Sequence, residues 1–331
     1  MIKIVKIETR LFLWVNILLL ILITGCSIDE PAPSLEILTT RGETWGIYQL
    51  DLETEEISLL YGTQTEISGL SLDPSGTKLV FSQKIGGDSY EYTEIYTFSF
   101  GDQTTEKLTE NSMWDLYPIW SPDGSEIAFL SWRGASLDLY LMDGDGSNQR
   151  LLYDSSHHDA DIDWRGEQIV FTSQDRIWIM DSDGKNPRPL TDPPRAGEWG
   201  QANLPFGDYD PRLSPDGTKI IFSRMIGDES GHGNYDIFQV NLDGSELLNL
   251  TKTGYSQGLS SWSPAGNEIL FIVAAIEGRG VYDLYTMNSD GSEVKSRTPE
   301  NLPPEFLIHC ARYANDSSTV YLVGQWWQEG K

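Results

Sequence analysis

Short apolar runs bounded by turns rich in Pro, Asp, Ser and Gly recur along most of the chain. Six times a two-part phrase returns. Its first part is an apolar strand entered through a tight turn, as in Ser71 to Ser82, Trp120 to Ser131, Asp163 to Ser173, Leu213 to Ser223 and Trp262 to Ile272, with a degenerate copy at Tyr313 to Val323. Its second part is another apolar strand, an acidic glycine turn and a closing strand, as in Leu139-Tyr-Leu-Met-Asp, Ile177-Trp-Ile-Met-Asp, Ile237-Phe-Gln-Val-Asn and Leu284-Tyr-Thr-Met-Asn. Asp-Gly between two β-prone runs marks a hairpin, because glycine readily takes the positive φ of the turn. Each unit therefore predicts two hairpins and four strands. The turn glycines Gly76, Gly124, Gly166, Gly217 and Gly266 lie 48, 42, 51 and 49 residues apart. A period of about 40–50 residues with four strands per unit predicts an all-β chain folded as a six-bladed β-propeller with four-stranded antiparallel blades. Strands that are apolar on both faces, such as Ile127 to Leu130, suit blades stacked face to face.

The two ends of the pattern are complementary. Leu35 to Thr39 with Ile47 to Tyr61 reads as a blade lacking its first strand, and Phe306 to Gln325 supplies first and second strands. Joining them closes the ring through a sixth blade built from both termini and leaves few unpaired edges. The second strand is then offered twice, so one copy must sit elsewhere.

The recurring Trp-Ser-Pro-Asp-Gly, Ile-Ala-Phe and Leu-Tyr-Leu-Met-Asp strings resemble the WD40-like repeat of TolB-type propellers over residues 35–325. The resemblance implies a six-bladed propeller in a bacterial envelope and does not imply an activity. TolB also carries an α/β domain ahead of its propeller. Here about ten residues separate Cys26 from the first expected strand, so that domain is expected to be absent, and TolB's partner binding does not carry over.

The first residues point to export. Lys3, Lys6 and Arg10 precede the apolar run Leu11 to Ile23, which ends in Ile-Thr-Gly-Cys26. The run is short for a spanning helix and suits a signal peptide. Its end resembles a lipobox, so residues 1–25 are expected to be a lipoprotein signal peptide, Cys26 the lipidation site, 26–34 a short linker and 35–331 the propeller. Acyl chains on Cys26 would anchor a soluble domain. Ser27, by resemblance to enterobacterial sorting rules, favours the outer membrane, facing the periplasm, where the host has two membranes.

The net charge of −27 changes the list of partners. Such a surface repels nucleic acid and anionic headgroups, so neither is expected and membrane contact is through the lipid alone. With Cys26 lipidated, Cys310 has no partner for an internal disulfide. No cofactor is expected, and a monomer is.

Blades are scaffold, so function falls to loops. The tight turns should leave one rim and the long, varied segments the other. Among the latter, Asp192 to Asp210 is the longest, with Trp199, Phe206 and Asp208-Tyr209-Asp210. Exposed aromatics beside acids suit a sugar or peptide; the same loop could equally fold over the channel mouth with Trp199 and Phe206 as its own small core. Ser155 to Asp161 holds the His157-His158-Asp159 cluster and Asp161, candidate ligands for a divalent metal, with His232 on the same rim able to approach. Trp114 and Tyr255 complete the candidate ligand-binding set. His309 falls in an expected inner strand, where a buried, hydrogen-bonded role suits it. The Asp143 to Asn148 and Asp181 to Asn186 segments resemble the start of a calcium loop but lack its terminal Glu and fall where hairpin turns are needed. Gly254 to Gly258 matches Gly-x-Ser-x-Gly, which carries chemistry only on a strand-to-helix turn. No catalytic set emerges, so the expectation is a non-catalytic, lipid-anchored envelope protein recognising an envelope protein or a small ligand on the long-loop rim. The alternative is a glycan- or peptide-binding or processing protein with a metal on that rim.

Overall fold

The structure, a computed structural model, describes residues 44–86, 92–199, 204–227, 234–274, 282–302 and 305–326. Leu35 to Thr39, Cys26 and His232 lie outside them. The described residues form six four-stranded antiparallel sheets and no helix. The opening strands are β1 (Trp45–Asp51) and β2 (Ile57–Thr63). Five continuous blades follow. They are β3–β6 (Ile67–Leu72, Lys78–Ile85, Tyr92–Ser99, Thr104–Lys107), β7–β10 (Asp115–Trp120, Glu126–Ser131, Asp138–Asp143, Arg150–Tyr153) and β11–β14 (Asp159–Arg165, Gln168–Ser173, Arg176–Asp181, Arg188–Pro189). The others are β15–β18 (Asp208–Leu213, Lys219–Gly227, Asn234–Asn241, Leu248–Asn249) and β19–β22 (Ser256–Trp262, Glu268–Ala274, Tyr282–Asn288, Lys295–Ser296). The chain ends on β23 (Phe306–Tyr313) and β24 (Thr319–Trp326).

The sixth blade has the order β2-β1-β24-β23. It is shared by the termini as expected, with a two-plus-two division. β24 takes the second place and pairs with β1 through seven residue pairs, Trp45–Gln325 to Asp51–Thr319. The duplicated second strand is thus resolved in favour of the C-terminal copy.

One aromatic pair repeats in each continuous blade. Phe81, Phe129, Phe171, Phe222 and Phe271 on the second strand face Tyr96, Tyr140, Trp178, Phe238 and Tyr285 on the third. All five phenylalanines are buried, and ring centroids lie 5.8–6.4 Å apart. Such offset contacts add to the burial of large apolar area between blades. The sixth blade substitutes Leu322 opposite Tyr48, whose ring meets Phe306 edge-on at 5.1 Å.

The closing Leu-Thr of the repeat has a defined task. The hydroxyls of Thr109, Thr191, Thr251 and Thr298 accept the backbone N–H of Ile95, Ile177, Ile237 and Leu284 at 2.8–3.0 Å. They satisfy a donor at the start of the third strand, where the outer strand has ended. That outer strand is only two residues long in three blades, which leaves little free edge.

The tight turns leave one rim. Gly76, Gly124, Gly217 and Gly266, with φ between 69° and 74°, each donate to a carbonyl three residues back at 2.9 Å. The longer connections leave the opposite rim, where the candidate site lies.

Candidate functional site

The six innermost strands, β3, β7, β11, β15, β19 and β23, line a central channel. Each carries a β-bulge at the same level, between Ser68 and Leu70, Leu116 and Ile119, Ala160 and Asp163, Tyr209 and Arg212, Gly258 and Ser261, and Ile308 and Cys310. Five bulges hold a left-handed residue: Gly69, Tyr117, Asp161, Asp210 and Leu259, with φ of 50–64°. A bulge bends its strand and re-aims a side chain. At Gly69 glycine is required, since a Cβ would stand 2.8 Å from Tyr117 Cα.

The ring of bulges divides the channel. On the turn side is a cavity of about 380 Å³ lined by Asp163, Asp210, Arg212, His309, Cys310 and Arg312 among others. On the long-loop side is a cleft of about 440 Å³. Ser68, Tyr117 and Asp161 line both and stand between them.

The cleft gathers seven of the sequence candidates: Trp114, His157, His158, Asp159, Asp161, Trp199 and Tyr209. Trp132 meets the Trp114 ring edge-on, with centroids 5.1 Å apart, and the His158 ring at a tilt, with centroids 4.6 Å apart. His158 Nδ1 accepts the Leu137 N–H at 3.1 Å, and burial lowers its pKa, so the ring is neutral. His157 places Nδ1 2.9 Å from the Ser155 carbonyl. Asp159 is fully buried. Ser155 donates to its Oδ1 at 2.7 Å, while Oδ2 meets no hydrogen-bond partner. Burial pushes its pKa up to about 7, with the nearby Ser173 and Ser155 hydroxyls opposing. Burial, then Asp210, raises Asp161 to about 6. Tyr209 Oη lies 2.9 Å from Asp175 Oδ1 and 2.7 Å from the Pro205 carbonyl. Among the described residues no group of three or more His, Cys, Asp or Glu is arranged to hold a metal, so His157, His158 and Asp159 do not by themselves build a metal site.

The long loop splits the two readings of Asp192 to Asp210. Phe206 is buried in a small cluster with Met225, Leu204 and Tyr235, and Arg195 lies over its ring at 3.7 Å. Trp199 is 55% exposed at the cleft and bridges to Pro205.

Three candidates sit elsewhere. Asp208 is buried in a two-point pair with Arg224, at 2.6 and 2.8 Å, and belongs to its blade. Asp210 faces the turn-side cavity and pairs with Arg212 at 2.6 Å. Tyr255 packs against the cluster around Phe271 and Trp262. His309 lies on β23 as expected. It is 2.8 Å from Gln325 and 4.5 Å from the Trp45 ring, and burial pulls its pKa down to about 4. Ser256, in the Gly-x-Ser-x-Gly string, is in strand β19, with no helix following.

Sequence reasoning missed Tyr117, Asp175, Arg212 and Arg312. Arg212 would lose its proton more readily for being buried, but Asp210, Asp163 and Asp161 outweigh this and hold it charged. A signal did exist: Gly69, Tyr117, Asp210 and Leu259 each stand seven residues before a turn glycine (Gly76, Gly124, Gly217 and Gly266), although their residue types differ, while the shorter turn of the β11–β14 blade puts Asp161 five before Gly166.

The TolB beta propeller domain matches residues 38–200. An uncharacterised protein of Agrobacterium fabrum is 27% identical over 215 residues, covering 61% of this chain and 68% of that protein. The Tol-Pal system protein TolB of Francisella tularensis is 24% identical over 227 residues, covering 66% of this chain and 48% of that protein. The chain therefore matches about half the length of that relative. Among solved structures, one from Agrobacterium tumefaciens assigned to TolB superposes with a TM-score of 0.63 at 19% identity, covering 86% of this chain and 99% of the other. That last likeness shows the fold alone.

Proposed function

We infer that this chain, a TolB-type β-propeller protein, is an envelope-associated binding protein that recognises its partner through the long-loop cleft, without catalysis of its own. One observation carries the reading. Segments of several blades converge on a cleft of about 440 Å³ whose lining combines aromatic and aliphatic side chains, Trp114, Tyr117, Leu137, Trp199 and Tyr209 among them, with charged and polar ones. That is the composition of a recognition site. The turn rim, by contrast, is built from tight, polar hairpins. A relative named as a Tol-Pal system protein supports the envelope setting.

The finer part of the proposal is the anchor. The Lys3, Lys6 and Arg10 region, the apolar run to Ile23 and Gly25-Cys26 support lipidation at Cys26. Cys26→Ser is expected to abolish labelling by radioactive fatty acid and, because cleavage follows lipidation, to yield no mature lipoprotein in the membrane fraction. Continued labelling of the variant would exclude Cys26 as the anchor.

The recognition surface is tested by placing a photoreactive phenylalanine at position 199 and, separately, at Asp145 on the turn rim. Irradiation of intact cells should give a discrete adduct from position 199 only. Equal adducts from both rims, or none from position 199, would dismiss the cleft as the recognition surface.

A further inference from the structure

Three successive blades open their innermost strand on an aspartate: Asp115 on β7, Asp159 on β11 and Asp208 on β15. Each stands two residues before the left-handed bulge residue, and each is fully buried. A buried carboxylate is costly unless it is paired. Two of the three are paired with arginine within their own blade. Arg133 Nη2 lies 2.7 Å from Asp115 Oδ2, and Arg224 takes Asp208 with two nitrogens.

The register shows what is missing at the third. Asp208 lies opposite Arg224. Asp115 lies opposite Ser131, with Arg133 two residues beyond. Asp159 lies opposite Ser173, and two residues beyond stands Asp175. Neither position supplies a cation, and Asp159 Oδ2 has only the nearby Ser173 hydroxyl, which is not in hydrogen-bond geometry with it. Of the three acids, Asp159 alone lines the long-loop cleft, together with Trp114, Tyr117, Trp199 and Tyr209.

We propose that this cleft receives an organic cation on an apolar stem, a guanidinium or ammonium group, which gives Asp159 the partner that Arg133 and Arg224 give its counterparts in the flanking blades. The proposal rests on the reading of the cleft as the binding site and names its chemistry. Aromatic faces attract such a cation, and apolar walls suit its stem. Asp161 and Asp175 add negative charge at the same cleft, and Glu66 stands across from Lys84. His158, held neutral, does not repel a cation. The net charge of −27 steers cations toward the protein as a whole.

The cation could belong to a basic side chain of a partner polypeptide or to a free small molecule. Titration calorimetry on the lipid-free mature chain distinguishes them with three probes: butylguanidine, Nα-acetyl-arginine amide, and a capped pentapeptide centred on arginine. The citrulline analogues, uncharged and nearly isosteric, serve as controls. Saturable binding of the arginine probes, at least about tenfold tighter than the citrulline ones, is expected from a charge-assisted contact. Tighter binding of the pentapeptide than of butylguanidine assigns the cation to a polypeptide; equal binding assigns it to a small molecule.

Two variants keep the test sharp, with circular dichroism confirming their fold. Asp159→Asn should weaken the arginine probes by about ten- to a hundredfold. Ser173→Arg places a guanidinium opposite Asp159, as Arg224 is placed opposite Asp208, and should block the probes while raising the melting temperature. Equal affinity for arginine and citrulline probes, no binding of either, or arginine binding unchanged in both variants would overturn the proposal. A persisting crosslink from position 199 would, in that event, leave the binding reading itself in place.

Discussion

Deleting Phe306 to Lys331 removes β23 and β24, and should unfold the whole ring rather than one blade. The loss is large. Phe306, Leu307, Ile308, Tyr313, Val320, Tyr321, Leu322 and Val323 are all buried in the wild type. At roughly 1.5–3 kcal/mol each, the removal of these eight forfeits on the order of 12–24 kcal/mol. A discount of about a third for a compact unfolded chain leaves the figure comparable with the entire stability of an ordinary domain, about 5–15 kcal/mol. The neighbours lose as well. Tyr48, Leu50 and Leu284 on one side, and Trp45, Ile67 and Phe81 on the other, are packed against the deleted strands. β1 would also present seven unpaired residues. In a linear repeat array a terminal unit contacts one neighbour only, so its loss is tolerated better. Circular dichroism melting with size-exclusion chromatography, on wild type and truncation, separates the cases. A monomeric truncation melting within a few degrees of wild type would refute the closure argument.

Two further predictions address single residues. At Gly324 on the closing strand, a Cβ would lie 2.2 Å from Phe306 Cζ and 2.9 Å from Tyr48 Cε2, both rings fully buried. Gly324→Ala should therefore destabilise the protein by about 1–3 kcal/mol in denaturant titration, and an unchanged midpoint would show that the seam is not tightly packed. Burial lifts the Asp159 pKa from the ordinary carboxylate value of 3.8 to about 7. The folded state thus binds more protons than the unfolded between about pH 4 and 7, and this group's contribution to stability declines as pH rises through that window. Asp159→Asn should gain on wild type in melting temperature from pH 4 to 7.5, by up to a few kcal/mol in stability, and then level off. A difference independent of pH would mean that Asp159 titrates normally.

The fold was legible because its determinants repeat with their residue types intact. Phe81, Phe129, Phe171, Phe222 and Phe271 recur in one setting, as do the turn glycines and the closing threonines. The shared blade followed from complementary ends, although the chain pattern offered two candidates for its second strand and β24 took the place. The long-loop rim was legible from segment lengths, and seven of its named residues do meet at one cleft. The channel was not legible. Its bulge ring is formed by Gly69, Tyr117, Asp161, Asp210 and Leu259, which share a backbone conformation but no common residue type. Left-handed φ at a tyrosine or leucine is imposed by the surrounding sheet and leaves no mark in local propensity.

Departures from the repeat carry the functional information that its regularities cannot. A propeller needs six near-equivalent blades, so selection for folding alone keeps equivalent positions alike. At the third strand's lock, threonine serves four blades, whereas Tyr153 stands at the corresponding position of the β7–β10 blade, immediately before the segment bearing His157 and His158. At the strand-opening acid, Asp115 and Asp208 have arginines and Asp159 has none. The longest connection, Asp192 to Asp210, brings Trp199 to the same opening. Each departure alone is compatible with drift in a tolerant scaffold. Asp159 and Trp199, contributed by separate segments, line one cleft, and the Tyr153 departure leads straight into the His157-His158 segment that lines it too. A buried acid without a counterion costs stability, and an exposed tryptophan adds apolar surface to the same opening. Their meeting at one place is what the proposed recognition of a cation on an apolar stem would use: an acid and an apolar surface that a bound group could complete.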